Sequence, residues 1–593
     1  MTMKANFLRV ILLIFSLYPA VAQNDQSPNV IIIFTDDLGY GDLGVYGHPT
    51  IKTPHLDRMA QEGTKFTQFY VAASVCTPSR AAILTGKYPI RTGMVEGIIP
   101  GRVLFPNSNT GLAQSHVTIA EVLKQNSYAT KAVGKWHLGH LPEYLPINQG
   151  FDEYYGIPYS NDMDYVTGGE KKSPYWNVPL MRDTKIIERP AEQTTLTKRY
   201  TEESIKFIEK NREKLFFLYL AHTMPHIPLF ASDDFTGKSR RGLYGDVVEE
   251  IDWSVGKILN TLKELDLDEN TLVIFTSDNG PWLVQDEDGG SAGLLREGKG
   301  TTWEGGMRVP MLAWWPGKIP ANRVSEDLFT SLDVLPTIAK LTKSPMPEED
   351  IDGIDMSSVL FERKPSEREF FAFYRGDKLF AIRYGPWKAH FITQTAYPAG
   401  PLKRHSPPLL YHLEKDPSEK YNVSEDNPEI IGKIEELRKA HNKKLNLVSE
   451  PSIEGEDLVR KAEVTGGRVR IQEMDNFSGK WSGNQHLWWT EATKGDKLSF
   501  EFTVEESRKY ELIGFFTRAK DYGIVQLMVN GKTMGNLMDG YNEGVSHSGP
   551  VSFGSSYLEK GTHTLTIEIV GKDVRAGGYS DGYLVGLDGI LLR

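Results

Sequence analysis

A single cysteine stands in the 593 residues, Cys76, in the stretch SVCTPSRAAILTG (74–86). Thr77 reads as a helix N-cap, Pro78 as the first helical position with its fixed φ and missing N–H, and Gly86 as a C-cap. The thiol would then precede a helix N-terminus, where unpaired backbone N–H groups and the helix dipole favour an anion, and Arg80 one turn in adds a fixed positive charge. Position alone leaves a second reading level with this one: a small buried hydrophobe, as most free cysteines are. Asp36, Asp37, Asp278 and Asn279 could offer oxygen ligands to a hard cation, while Lys135, His137, His222 and His226 could bind an anion or move protons. Singly, each has an ordinary reading: the Asp pair and SDNG as turns, a lone histidine as a packed side chain.

The elements that must position these groups share one habit. Asn29–Phe34 runs into Asp36 and Asp37, Ala129–Val133 into Lys135 and His137, Leu215–Leu220 into His222 and His226, and Leu272–Phe275 into Asp278 and Asn279. Each run is too short and too rich in β-branched or aromatic residues for a helix, so each reads as a buried strand, and amphipathic helices over Val117–Gln125 and Lys198–Lys210 lie between them. The pattern predicts an α/β domain with a mostly parallel central sheet flanked by helices. Ligands of such sheets bind beyond the carboxyl ends of the strands, which is where all these polar groups would stand.

The motif Cys76-Thr77-Pro78-Ser79-Arg80 followed by AAILTG resembles the signature of the type I, formylglycine-dependent sulfatases. The likeness extends to NVIIIFTDDLGYGDLGVYG, GKWHLGH (134–140), SDNGP (277–281), GKGTTWEGGMRVP (298–310) and LYHLEKDPSEKYNV (410–423). It covers residues 29 to about 445 and is strongest toward the arylsulfatase A and N-acetylgalactosamine-6-sulfatase branch. The resemblance implies an alkaline phosphatase-like fold, conversion of Cys76 to formylglycine (3-oxoalanine) by a maturation enzyme, and a calcium ion. In the family the aldehyde is hydrated; one hydroxyl attacks sulfur and the other later expels sulfate by re-forming the carbonyl. A bare Cys76 form should therefore be inactive.

By the same resemblance Asp36, Asp37, Asp278, Asn279 and the modified Cys76 would hold calcium, which favours all-oxygen sites, whereas magnesium demands a tighter octahedron. Arg80 would fix the diol, Lys135 and Lys299 would contact sulfate oxygens, His137 would take the diol proton, and His226 would help protonate the leaving oxygen, with Lys299 sharing that task. His226 is preferred to His222 for its spacing to Pro228, and Ser160 in GIPYSND would donate to the sulfate. Asp42 and Asp333 carry structural expectations only.

Composition sets the remaining bounds. A net charge of −11 argues against a general nucleic-acid binder, although a locally positive site can still take an anion because salt confines fields to about 10 Å. Lys4 and Arg9, the apolar run 10–17 and Ala20-Val21-Ala22 read as an export signal over 1–22, and no later stretch is long and apolar enough to span a bilayer, so a secreted or periplasmic protein is expected. The catalytic domain is expected over 23–369 and a small antiparallel subdomain over 370–445, with the basic stretch 398–408 as a solvated loop. A linker over 446–455 would precede an antiparallel β-sandwich at 456–593, with a hairpin turn at Asn530-Gly531. Trp481, Trp488 and Trp489 could stack on sugars; packing against the catalytic domain is the favoured expectation, and at least one of the adjacent pair should point inward.

The expected function is hydrolysis of sulfate monoesters, on sulfated carbohydrate. Two rivals stand beside it: a phosphate or phosphonate ester hydrolase of the same fold, and a catalytically silent glycan-binding protein.

Overall fold

The computed structural model describes residues 27–95, 103–163, 177–347, 350–396, 399–445, 453–474, 476–477, 481–504, 507–578 and 580–592. The expected export signal at 1–22 and positions 446–452 of the expected linker lie outside them. The chain forms two compact units that divide between Glu436 and Leu437, within the helix Pro428–Lys444.

Among the described residues, eleven strands of the first unit form one sheet. Its centre is parallel, in the order Thr271–Ser277, Asn29–Thr35, Phe216–Ala221, Ala129–Lys135, Glu153–Ile157. Antiparallel strands extend both sides, Arg308–Trp314 and then Thr64–Tyr70 on one, Leu180–Arg182 and Lys185–Glu188 on the other. Sheets covered on both faces select unbroken apolar runs, and Val30 to Phe34 have no exposed area at all. Ile31 and Ile33 pack with Leu218, Val273 and Phe275 against apolar residues of the helices Pro54–Glu62, Leu196–Lys210 and Leu243–Glu264.

Register brings the polar residues level. Thr35 lies beside Ser277, and Ala221 pairs with both Phe34 and Gly134, so the residues that follow emerge at one rim. Gly134 makes this approach feasible: at φ +103, a Cβ there would sit 1.8 Å from the Ala221 carbonyl oxygen.

The helix after the cysteine differs in its start from the sequence expectation. It runs Cys76–Thr85 with Val75 at the N-cap, so Thr77 is not the cap and Pro78 is not the first helical residue. Thr77 Oγ1 is engaged elsewhere, donating to the His137 carbonyl at 3.0 Å and accepting from Leu104 N at 3.2 Å. Gly86 does close the helix, at φ 66, its N–H donating to Ala82 O. The helix expected over 117–125 is Ile119–Lys124, begun by a capping box between Thr118 and Glu121.

Phe370–Arg375, Lys378–Tyr384, Trp387–Thr393 and Lys403–His412 form an antiparallel sheet. The stretch 398–408 is thus not all loop: Lys403 and Arg404 pair with Thr393 and Ile392. Pro407 and Pro408 obscure this strand in the sequence, yet an edge strand tolerates residues without an N–H.

The second unit holds two antiparallel sheets, of six and five strands among the described residues. Ile453–Glu454, expected in the linker, pairs with Ile590 and Gly589 and belongs to the first of them. Asn530 and Gly531, at φ 51 and 77, turn the hairpin between Ile524–Val529 and Lys532–Asp539. Trp489 is fully buried in the core between the sheets with Phe500, Leu527 and Ile567, and Trp488 remains part-exposed. Trp481 is buried too, its Nε1 donating to Thr517 Oγ1 at 2.7 Å.

Candidate active site

At the carboxyl rim of the sheet the residues singled out from sequence form one buried cluster. Cys76 Sγ lies 3.3 Å from Asp36 Oδ1. Lys135 Nζ donates to Asp36 Oδ2 at 2.5 Å and to Ser160 Oγ at 3.1 Å. Arg80 donates to Asp278 Oδ2 from Nε and Nη2, at 3.1 and 2.7 Å, and from Nη1 to the Lys135 carbonyl at 2.9 Å. Asp37 gathers the other half of the site: Lys299 Nζ at 2.7 Å and His226 Nε2 at 3.6 Å from Oδ2, and Asn279 Nδ2 at 2.7 Å from Oδ1. Asp37 and His137 both hold left-handed backbone, φ 65 and 60, a conformation uncommon outside glycine and concentrated at functional sites.

Burial and proximity set the protonation states. Burial alone would raise Asp36, but Lys135, His226, Arg80 and Lys299 outweigh it and hold this carboxyl well below its usual range. Asp278 is pushed up to about 7 by burial and the adjacent Asp36 charge, against the pull of Arg80. The Cys76 thiol is raised by burial and by Asp36, so at neutral pH it is a protonated, poor nucleophile. His137 is depressed by burial and by Lys135. Its Nε2 lies 2.8 Å from the Leu104 carbonyl, which can only accept, so the proton sits on Nε2 and the buried Nδ1 offers a lone pair without a hydrogen-bond partner.

These facts test the site for a cation. The carboxyl groups of Asp36, Asp37 and Asp278, all buried, bring oxygen donors to one place beside Arg80, Lys135 and Lys299. The Asn279 Oδ1 oxygen is buried and has no hydrogen-bond partner, as suits a metal ligand. Among the described residues, ligand atoms of Asp36, Asp37, Cys76 and His226 all lie within 4.8 Å of one another. A hard divalent cation held by oxygens therefore fits, and His226, assigned from sequence to proton transfer, stands at its edge.

The structure places every residue of the expected set, Asp36, Asp37, Cys76, Arg80, Lys135, His137, Ser160, His226, Asp278, Asn279 and Lys299, in or against this cluster. His222 is elsewhere: its Nε2 faces Ser254 Oγ at 3.3 Å, and burial lowers it to about 3. Asp42 accepts from Gly39 N and the Tyr244 hydroxyl, and Asp333 from Thr330 and Arg368, so both are structural. Sequence reasoning missed Trp282, whose ring lies beside Lys299 and His226; only its place directly after SDNGP could have flagged it.

On a mostly parallel sheet, a thiol at a helix start is thus flanked by buried cations and strand-end carboxylates. The family model described as Sulfatase matches residues 28–344, more than half of the chain, and the model for the C-terminal region of aryl-sulfatase matches 366–464. The chain belongs to the sulfatase family and is a sulfuric ester hydrolase. It is 43% identical over 450 residues to arylsulfatase A of Homo sapiens, covering 70% of this chain and 87% of that one. It is 38% identical over 464 residues to N-acetylgalactosamine-6-sulfatase of Canis lupus familiaris, covering 72% and 88%. Among solved structures it resembles the PsFucS1 sulfatase from Pseudoalteromonas sp., with TM-score 0.65, 30% identity and coverage of 71% and 91%. It also resembles Ps i-CgsB in complex with k-i-k-neocarrahexaose, with TM-score 0.61, 34% identity and coverage of 70% and 92%.

Proposed function

We propose that this chain is a secreted or periplasmic sulfatase that removes sulfate from sulfated carbohydrate, using a formylglycine made from Cys76 by a maturation enzyme and a bound calcium ion. The observation that carries the reading is Cys76 itself. It heads a helix, 3.3 Å from a carboxylate and surrounded by cations, yet its thiol is held protonated where a nucleophile is needed. A residue in that place makes chemical sense as a precursor.

Asp36, Asp37, Asp278, Asn279 and the modified Cys76 would hold the calcium. When bound, the ion supplies positive charge that polarises sulfate oxygens. The aldehyde made from Cys76 would, once hydrated, supply the attacking hydroxyl. Everything else falls to ordinary side chains. Arg80, anchored at two points on Asp278, keeps residue 76 oriented. Lys135 bridges Asp36 and Ser160, so both an ammonium and a hydroxyl face the sulfate. Lys299, paired with Asp37 Oδ2 at 2.7 Å, would bring a second ammonium to the sulfate from that side. His137, neutral with a free lone pair on Nδ1, accepts the proton released as sulfate is expelled, and His226 with Lys299 protonates the departing oxygen.

The carbohydrate part of the reading draws support from a similar structure solved in complex with k-i-k-neocarrahexaose, and export from the residue pattern at 1–22. The test is a set of rates on 4-nitrophenyl sulfate, 4-nitrophenyl phosphate and defined sulfated oligosaccharides, before and after chelation and calcium return. Sulfate release from the oligosaccharides that chelation removes and calcium restores is expected; faster cleavage of the phosphate, or rates indifferent to chelation after elemental analysis shows no metal, overturns the reading.

A further inference from the structure

Trp282 has no part in the scheme above, yet its ring meets an ammonium and an imidazole of the site. Lys299 Nζ stands 4.3 Å from the ring centroid, and the His226 ring 5.5 Å away at 52°. Both groups also face the same oxygen, Asp37 Oδ2. The indole and the carboxylate thus flank Lys299 and His226 together.

The backbone fixes this arrangement. Lys299 N donates to the Pro281 carbonyl at 2.9 Å, and a Cβ on Gly298 would lie 2.2 Å from that same oxygen and 3.1 Å from Leu283 Cγ. Residues 281–283 and 298–299 are therefore laid against one another. Trp282 is half-buried at this seam, while Leu283 and Val284 next to it are 40% and 46% exposed. The indole thus sits where this seam gives way to solvent.

An aromatic face is well suited to this place. It attracts an ammonium through the ring quadrupole, with tryptophan the strongest of the aromatic residues. Unlike a carboxylate, it adds no negative charge to repel a sulfate ester, and it accepts none of the protons that the ammonium must keep to donate. Asp37 has a competing claim on its charge if it serves a metal.

We propose that Trp282 is a positioning residue that holds Lys299 and His226 on the leaving-group side of the site. As the S–O bond breaks, its electron pair stays on the departing oxygen and one proton passes to that oxygen from His226 or Lys299; Trp282 keeps both donors in line for the transfer. The inference rests on the proton-donor roles given to these two residues above.

The experiment is a leaving-group series, from 4-nitrophenyl sulfate, whose phenolate leaves readily, to unsubstituted phenyl sulfate, whose oxygen needs the proton. Wild type, Trp282→Phe and Trp282→Leu are compared by the ratio of kcat on the two esters, which does not depend on the fraction of each preparation that is folded. Trp282→Leu should lose about tenfold more on phenyl sulfate than on 4-nitrophenyl sulfate, and Trp282→Phe, which keeps a weaker π face, should fall between. An unchanged ratio in Trp282→Leu overturns the inference. His226→Ala and Lys299→Ala run beside it separate the layers: if either steepens the series and Trp282→Leu does not, this inference alone fails. If neither does, the proton-donor roles fail and take it with them.

Discussion

His137 shows how the site is specified residue by residue. Its backbone is left-handed, its carbonyl accepts from Thr77 at the head of the cysteine helix, and its Nε2 donates to Leu104, whose own N–H donates to Thr77. That ring of three contacts leaves one nitrogen for chemistry. Asp36, Asp37, Lys135, His137, His226, Asp278 and Asn279 were legible because they come soon after apolar runs, and Ser160 and Lys299 only through the family resemblance; the Thr77 and Leu104 contacts were not, since no local pattern reports a partner 60 or 33 residues away. Asp278→Ala removes the anchor of Arg80 and a carboxylate from the proposed cation site, and should lower kcat on 4-nitrophenyl sulfate by more than about a hundredfold. Activity within threefold of wild type would contradict that role. His222 gives a pH prediction. Burial lowers its folded pKa to about 3, below the ordinary 6.5, so the unfolded chain binds the proton first. Its stabilising contribution is full above pH 6.5 and drains as pH falls toward 3, by up to about 1.4 kcal/mol per pH unit. Thermal unfolding should accordingly show a shallower acid-side loss of Tm in His222→Gln than in wild type.

At the scale of elements, the central strands could be read because burial on both faces demands unbroken apolar runs, and the ends of the observed strands fall within two residues of the ends of those runs. What could not be read is the charge network that ties the antiparallel subdomain to the loop carrying Lys299. Lys388, on the strand Trp387–Thr393, donates to Glu304 Oε1 at 2.9 Å and to the Thr302 carbonyl at 2.8 Å. Glu419 accepts from His390 Nε2 at 2.7 Å and from Glu304 N at 2.7 Å, and the Tyr70 hydroxyl donates to Glu304 at 2.5 Å. Burial works against the Glu304 charge, yet Lys388, Arg308 and Arg383 prevail and hold it at about 2. Removing one partner strands the others without compensation. Lys388→Met should cost about 3 kcal/mol in urea unfolding of the full chain, and a loss below about 1 kcal/mol would show the network to be dispensable.

For the whole molecule, each compact unit owns a core. The sandwich core is drawn from residues 458–590, and Trp489 is fully buried within it, which accounts for the inward-pointing tryptophan from residues of that unit. Every residue of the proposed site lies between 36 and 299. A chain ending at Leu445 keeps the helix Pro428–Lys444 intact and should retain the wild-type rate on 4-nitrophenyl sulfate. Insoluble or inactive truncated protein would show instead that the sandwich completes the fold of the catalytic unit. The sandwich was legible as β structure from its alternating runs and the Asn530-Gly531 turn, whereas its first strand was not, because Ile453–Glu454 is only two residues long and finds its partner near the C-terminus.

The central claim, that Cys76 is a precursor and not the working nucleophile, is tested most directly at the residue itself. Peptide mass analysis over residues 74–80 should be set against specific activity for preparations made with and without a maturation enzyme. Activity should rise in proportion to the fraction carrying the aldehyde and vanish where every molecule keeps its thiol. Full activity from protein whose Cys76 is entirely thiol would contradict the account.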